Sequence, residues 1–133
     1  NILGKGEFVV SIILPVRPPK SGDAYLRFIP RTEMDIAVVG AGVSLTLNDI
    51  GICTAARMSL GAVAPKALLV ESATDILVGK KLTDDVLAAL AEAASASCNP
   101  IDDKRGTIKF RTKVAAVLAQ RAATIAWQRA ETS

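Results

Sequence analysis

The chain contains no histidine among its 133 residues. This absence removes the commonest general base and the commonest zinc ligand, and much hydrolytic chemistry with them. Only two cysteines are present, Cys53 and Cys98, and they form neither a CxxC pair nor a disulfide framework. We therefore expect buried thiols in a reducing compartment, and a protein of the cytoplasm.

Aromatic residues are scarce, and long apolar runs are absent. The aromatic residues do not alternate with basic ones, as a stacking platform for single-stranded nucleic acid requires. The net charge of +3 permits a nucleic-acid partner without indicating one. The longest apolar stretch, residues 36–47, is about half as long as a membrane-spanning helix and contains Gly40 and Gly42. No signal peptide opens the chain, and we predict no membrane span. Because the aromatic and basic residues do not alternate, we also predict no nucleic-acid partner.

Apolar residues make up 50% of the chain, enough for one domain over residues 1–133. Apolar and polar residues alternate through the first half, which is typical of half-buried strands. The alternation predicts strands at residues 7–14, 23–29, 36–47 and 52–64. A turn at residues 48–51 should join the last two as an antiparallel hairpin.

The apolar period becomes helical after Pro65. A short helix is predicted from an N-cap at Ser72 to Gly79, a second from a cap at Thr83 to residues 99–100, and a third over residues 107–130. The third helix should lie across the sheet through Phe110, Val114, Val117, Leu118, Ala122 and Ile125. Strands followed by helices predict an α+β fold, a two-layer sandwich with an antiparallel sheet of three to four strands and then three helices.

Five cations crowd residues 100–113, around the predicted start of the third helix: Lys104, Arg105, Lys109, Arg111 and Lys113. Each exposed cation near a helix N-terminus costs roughly 0.3–1 kcal/mol, so paired aspartates, a partner surface or a bound anion should compensate them. Asp102 and Asp103 are expected to cap the helix and to neutralise Lys104 or Arg105, rather than to bind a metal.

Two glycine-containing motifs resemble nucleotide-binding loops without matching them. Gly40-Ala41-Gly42 follows an apolar strand, but Leu45 replaces the last glycine of a dinucleotide fingerprint and the strand alternation continues. A bulge, or close packing against a helix, is the preferred interpretation. Gly79-Lys80-Lys81 follows a helix instead of a strand, which indicates a helix C-cap with solvated lysines.

The predicted second strand carries a possible binding face. Alternate residues place Tyr25 and Arg27 on one side, and Arg31 extends that side beyond Pro30. Such a face suits a phosphate or an electron-rich ring, and the alternative is a solvated sheet face.

Four blocks along the chain resemble, in order and spacing, the C-terminal domain of the FAD-binding medium subunit of molybdenum hydroxylases. That family includes carbon monoxide dehydrogenase and xanthine dehydrogenase. The blocks are residues 7–15 (EFVVSIILP), 25–39 (YLRFIPRTEMDIAVV), 60–65 (LGAVAP) and 101–111 (IDDKRGTIKFR).

The resemblance implies part of an electron-transfer subunit, with the FAD-binding domain proper upstream of residue 1. Its partners would be an iron–sulfur small subunit carrying [2Fe-2S] clusters and a large subunit carrying the molybdenum cofactor. The domain itself would contribute no catalytic residue and would close over the flavin. Residues matching Val9 and Arg27 approach the flavin ring in this family, and Tyr25 joins them as a candidate cofactor-binding residue. Many members have lysine where this chain has Arg27.

Two functions of other classes stay open from the residues alone. One is a free-standing interaction module that dimerises through its sheet or third helix. The other is a small nucleotide- or RNA-binding domain that uses the basic start of the third helix.

Overall fold

Three of the four alternating segments of the first half form a sheet in the computed structural model, which describes residues 3–31 and 35–133. The strands are β1 (Ser21–Phe28), β2 (Val39–Leu47), β3 (Cys53–Gly61) and β4 (Leu68–Leu69). They pair antiparallel in the order β1-β2-β3-β4. The helices are α1 (Ser72–Leu77), α2 (Asp84–Ser97) and α3 (Ile108–Thr132). The predicted α+β sandwich is confirmed.

Local chemistry explains the hairpin between β2 and β3. The Asn48 side chain accepts hydrogen bonds from the backbone N–H groups of Ile50 and Ile52, at 3.2 and 2.8 Å. Gly51 takes a φ of +71°, a conformation that costs glycine least. The turn thus begins and ends where its residues predict.

One side of the sheet faces the helices and forms the core. In β2 the inward side chains are the buried Val39, Ala41, Val43, Leu45 and Leu47. The α3 helix packs across β1 and β2, α1 packs on β3, and α2 packs on α3 and α1. The other side of the sheet carries no helix, and we call it the open sheet face.

The strand predicted at residues 7–14 is wrong. Residues 8–18 have no regular secondary structure, and the large apolar side chains between Phe8 and Val16 are 63–95% exposed. The alternation is real, but the segment pairs with no strand of the described sheet, and alternation without a partner strand does not form a strand. The short β4, which pairs with β3, was not predicted.

Side-chain caps define two of the helix starts. Thr83 accepts a hydrogen bond from the Val86 N–H, and Thr107 accepts one from the Phe110 N–H. Gly79, with a φ of +80°, follows the last turn of α1, as predicted. The predicted cap at Ser72 is wrong by one residue, because Ser72 is already helical and Glu71 precedes the helix without a capping side chain.

The face that α3 lays on the sheet agrees in part with the predicted one: Leu118 and Ala122 are buried, and Val114 and Ile125 pack half-buried against the core. Phe110 and Val117 are exposed. Apart from Arg111, Leu118 and Trp127, the buried residues of α3 are all alanines: Ala115, Ala119, Ala122, Ala123, Ala126 and Ala130. Helix and sheet approach closely at Gly22, where an added Cβ would lie 2.7 Å from the Ala130 nitrogen and would overlap the Ala126 carbonyl. Alanines and a glycine permit this backbone contact.

No helix in the described ranges is long and apolar enough to cross a membrane. Both cysteines lie within the fold as free thiols. Cys53 is buried and Cys98 is half-buried, and each donates a hydrogen bond to a nearby backbone carbonyl. Burial raises the pKa of both thiols, so neither is an activated nucleophile.

Candidate functional site

The open sheet face carries the two strand residues that the alternation singled out. Tyr25 pairs with Gly42 across β1 and β2, and Arg27 pairs with Gly40. Both side chains are exposed, Tyr25 by 64%. No hydrogen bond or ion pair within the described residues holds either side chain. The structure therefore brings Tyr25 and Arg27 together on one accessible surface.

The Tyr25 ring rests on glycine. A Cβ added to Gly40 would lie 2.6 Å from the tyrosine Oη, and one added to Gly42 would lie 3.6 Å from its Cδ2. Any side chain at Gly40 would push the ring away from the sheet. The strand continues through this motif as predicted, but the predicted bulge or packing against a helix is wrong: β2 runs in register here, and the close neighbour is a tyrosine ring. The result is a flat aromatic surface that lies on the sheet.

A concavity of about 490 Å³ adjoins the Tyr25 ring on the open sheet face. It is lined by Asp23, Tyr25, Ser44, Arg57, Ser59, Leu69 and Arg129, among others. Asp23 is held by Arg17 through an ion pair of 2.7 Å. Arg57 was missed by sequence reasoning, because only the strand register places it here. The site thus combines an aromatic ring, two serine hydroxyls and an arginine without an acidic partner in the described chain.

Arg31 does not join this face. Its Nε donates to Asp35 at 3.0 Å, and Arg105 approaches the same carboxylate at 3.5 Å. The hydrogen bond from Arg31 is the largest cause that lowers the pKa of Asp35. The predicted extension of the face by Arg31 is therefore wrong.

Val9 lies apart from the other two candidate residues. It belongs to the exposed segment of residues 8–16 and does not line the concavity beside Tyr25. Further along, residues 14–18 line a concavity together with Ser44 and Thr46. Since these two belong to β2 on the open sheet face, the segment leads onto the side of the sheet that carries Tyr25.

The cation-rich run is organised around Arg111, which is only 4% exposed. Its guanidinium donates to the carbonyl of Val38 at 2.8 Å, to the carbonyl of Ala62 at 3.4 Å and to the Asp103 carboxylate at 2.6 Å. Arg111 thus ties the start of α3 to the loop before β2 and to the end of β3. Its role is structural.

Asp102 and Asp103 have different roles at the start of α3. Asp102 accepts a hydrogen bond from the Ile108 N–H at the start of α3, so the predicted capping role is confirmed for Asp102, alongside the Thr107 cap. Asp103 accepts from the N–H groups of Arg105 and Gly106, and its closest cationic partner is Arg111. The hydrogen bond from Arg111 is the main cause that lowers the pKa of Asp103.

The ion pair between Arg105 and Asp103 is long, at 4.0 Å. Lys104 makes no ion pair within the described ranges. Lys109 and Lys113 are likewise exposed and without an acidic partner there. Asp103 therefore compensates Arg111, Asp35 at 3.5 Å is the nearer partner of Arg105, and the lysines of the run are left to solvent or to a partner surface. Nor do the described residues contain a cluster of three or more His, Cys, Asp or Glu side chains arranged for a metal ion.

Comparison with known families supports the sequence resemblance. The model of the CO dehydrogenase flavoprotein C-terminal domain matches residues 24–126, which include the open sheet face, the cation-rich run and most of α3. The chain belongs to this family. Three residues of the second matching block, Thr32, Glu33 and Met34, lie outside the described part of the structure.

Two relatives in the family are similar to this chain in sequence. The chain is 39% identical to the carbon monoxide dehydrogenase medium chain of Afipia carboxidovorans, over 95% of this chain and 43% of the relative. Identity to the medium chain of Hydrogenophaga pseudoflava is 33%, over 97% and 44%. The chain spans less than half the length of these relatives.

Solved structures agree with this assignment. The carbon monoxide dehydrogenase of Hydrogenophaga pseudoflava superposes with a TM-score of 0.82 at 34% identity, over 87% of this chain and 40% of that one. Quinoline 2-oxidoreductase from Pseudomonas putida 86 superposes with a TM-score of 0.77 at 33% identity, over 84% and 39%. The predicted fold and the resemblance to this family are confirmed.

Proposed function

We propose that the chain is the C-terminal domain of the FAD-containing electron-transfer subunit of a molybdenum-dependent hydroxylase of the cytoplasm. Residues 1–133 form one domain that closes over a flavin held mainly by an FAD-binding domain upstream. The observation that carries the proposal is the Tyr25 ring, which lies exposed on Gly40 and Gly42 beside the unpartnered Arg27. The family match and the medium-chain relatives support the class of complex.

The residues of the open sheet face fit an isoalloxazine ring. A flat aromatic side chain without bulky neighbours offers the offset stacking geometry that aromatic pairs prefer, worth about 0.5–1.5 kcal/mol beyond buried area. A cation beside such a ring favours its anionic reduced form. FAD, when bound, supplies electron transfer between the [2Fe-2S] clusters and an external acceptor. Tyr25 would cover one face of the ring and exclude water, and Arg27 would hold positive charge near it.

The exposed segment of residues 8–16 supports an upstream domain. Its apolar side chains are exposed and are not buried by any described residue. A large continuous apolar surface that is exposed to solvent is rare in soluble proteins. Residues 14–18 line a concavity with Ser44 and Thr46, and Arg17 bonds to Asp23 of β1, so a domain joined through them would lie on the side of the open sheet face. Val9 would be covered in that arrangement and would approach the flavin from the same side.

An iron–sulfur small subunit and a molybdenum large subunit are the proposed partners. Support comes from the relatives, which are medium chains of carbon monoxide dehydrogenases, and from a related structure described as a Cu,Mo-CO dehydrogenase. The isolated domain is not expected to be catalytic, and it should hold FAD only weakly.

The proposal is tested by Tyr25→Ala and Arg27→Ala in the full-length flavin subunit. Loss of the stacking surface should lower the FAD content of the purified subunit, and loss of the cation should lower FAD content or flavin reduction potential. Gly40→Ala should act like Tyr25→Ala, because the new Cβ displaces the ring. Lys81→Gln, in the loop between α1 and α2, is the control.

Cofactor content, absorbance spectrum and potential that match the wild type in all three site variants would contradict the proposed function. That result would favour the alternative of an interaction module without a redox role. Tight, stoichiometric FAD binding by the 133-residue chain alone would contradict the division of labour between the two domains.

A further inference from the structure

Arg57 projects from the open sheet face without a partner. It lies on β3, opposite Ser44 of β2, and Ser44 in turn lies opposite Asp23 of β1. Its side chain is exposed, and it makes no ion pair or side-chain hydrogen bond with any described residue. The residues around it give no structural reason for an arginine here.

The strand register fixes where Arg57 lies relative to the Tyr25 ring. Tyr25, Gly42 and Ser59 form one row across β1, β2 and β3, and Arg57 lies two residues from Ser59 along β3. Neighbouring strands are about 4.8 Å apart and residues two apart along a strand about 6.8 Å, so the Tyr25 and Arg57 backbones are roughly 12 Å apart diagonally. The concavity of about 490 Å³ spans this distance and is lined by both side chains.

Other charges at the concavity are already engaged. The Asp23 carboxylate accepts from Arg17 at 2.7 Å, and the Arg129 guanidinium donates to the Asp23 carbonyl at 2.7 Å. Arg129 is held by a backbone carbonyl and keeps its positive charge, and Arg57 is therefore the cation of the concavity whose side chain makes no bond to a described residue. Ser44 and Ser59 add two hydroxyl groups next to it. This combination recognises an anionic group that is attached to, or part of, an aromatic ring system.

Arg27 lies on the opposite side of the ring. On β1, Arg27 is two residues beyond Tyr25 in one direction, while Arg57 belongs to the row of Asp23, two residues away in the other direction. A ring that stacks on Tyr25 would thus have a cation at each end. Two anchors of this kind fix the direction of a ligand as well as its plane.

We propose that Arg57 is a further cofactor-contacting residue, which binds an anionic group of the FAD whose ring lies on Tyr25. This inference rests on the proposed function. The anionic group is either the diphosphate of the dinucleotide or the reduced isoalloxazine ring, and in both cases Arg57 donates charge-assisted hydrogen bonds to anionic oxygen or nitrogen.

The test is Arg57→Gln in the full-length flavin subunit, with Lys81→Gln as the control that removes one positive charge elsewhere. A hydrogen bond to a charged group is worth about 1.5–3 kcal/mol, so the form of FAD that Arg57 contacts, oxidised FAD for the diphosphate or reduced FAD for the ring, should bind to the apo-subunit at least about tenfold more weakly in Arg57→Gln. Fluorescence titration with FAD measures this loss. Thermal unfolding of the apo-subunit should be unchanged, because Arg57 is exposed and unpartnered.

Two readouts separate the two anionic groups. If Arg57 meets the diphosphate, binding of oxidised FAD weakens while the flavin potential keeps its pH dependence. If Arg57 meets the reduced ring, the potential falls and the pH at which its slope changes rises, while oxidised FAD binds almost as well. Arg57→Lys should restore part of either effect, since it keeps the charge without the planar fork.

Arg57→Gln with wild-type FAD affinity and wild-type potential would overturn the inference. If Tyr25→Ala loses FAD in the same assay, the proposed function stands and only the role of Arg57 is wrong. If Tyr25→Ala and Arg57→Gln both behave as the wild type, the proposed function fails as well.

Discussion

Replacement of Arg111 by methionine should destabilise the domain more than any exposed charge change. Methionine keeps most of the buried volume but donates no hydrogen bond. The buried carbonyl of Val38 then loses its 2.8 Å donor, the carbonyl of Ala62 loses a longer one, and Asp103 loses its closest cation. The loop before β2, the end of β3 and the start of α3 would be linked only by packing.

The expected loss follows from the bonds of Arg111. A buried polar group left without its partner costs about 1–3 kcal/mol, and Arg111 serves three carbonyls, those of Val38, Ala62 and Gly106, besides the carboxylate. Partial relaxation of the two longer bonds, both 3.4 Å, keeps the total at about 3 kcal/mol. For a chain of this size, a loss of that order lowers Tm by roughly 10 °C.

Urea unfolding of the 133-residue chain, followed by far-UV circular dichroism, measures the free energy of unfolding. Arg121→Met is the matched control, because Arg121 is an exposed arginine of the same helix, and it should change stability by less than about 0.5 kcal/mol. Arg111→Lys should be intermediate, since an ammonium group cannot reach all partners at once. If Arg111→Met is as stable as Arg121→Met, Arg111 does not hold these three segments together.

Three further predictions concern packing, acid stability and thiol reactivity. Gly22→Ala should cost at least about 2 kcal/mol in urea unfolding, because its Cβ overlaps the backbone of α3, whereas Gly61→Ala, with open space around the new Cβ, should be near neutral; equal stabilities would disprove the close approach. The lowered pKa of Asp103 means that its stabilising contribution is present above the ordinary aspartate pKa of about 4 and is lost as pH falls through the lower folded-state value. Stability measured from pH 7 to pH 2 should therefore fall less steeply in Asp103→Asn, and an identical profile would contradict this. Cys53 should react with a thiol reagent at pH 8 much more slowly than Cys98, since it is the more buried thiol, and equal rates would be inconsistent with its burial.

Features that depend on neighbours along the chain could be predicted from the sequence. The hairpin turn at Asn48 and the cap at Thr83 each use a side chain that bonds to backbone only a few residues away. Local polar residues of this kind stabilise a turn or a helix start regardless of the rest of the fold.

Features that depend on distant parts of the chain were missed. The Arg111 guanidinium reaches the carbonyl of Val38 across 73 positions of sequence, and no local pattern encodes that bond. The buried face of α3 was predicted only in part, because alanine carries little hydrophobic signal, so the larger Phe110 and Val117 attracted the assignment. The segment of residues 8–16 alternates like a strand, but a strand also needs a partner strand, and this segment pairs with none in the described part of the chain.

The candidate site was predicted in part for the same reason. Tyr25 and Arg27 share a face through simple alternation along one strand. Arg57 joins them only through the register of two strand pairs, which the sequence does not specify residue by residue. The supporting role of Gly40 also becomes visible only when Tyr25 is placed across from it.

The contact between β1 and the alanine face of α3 has a mechanical consequence. At Gly22 and Ala126 the two backbones touch directly, so no long side chain lies between them that could change rotamer and let the strand shift. Tyr25 lies three residues further along the same strand, so its backbone should also shift little relative to α3. A redox cofactor seated on it would keep nearly constant distances to its electron donors, and those distances would vary little with temperature.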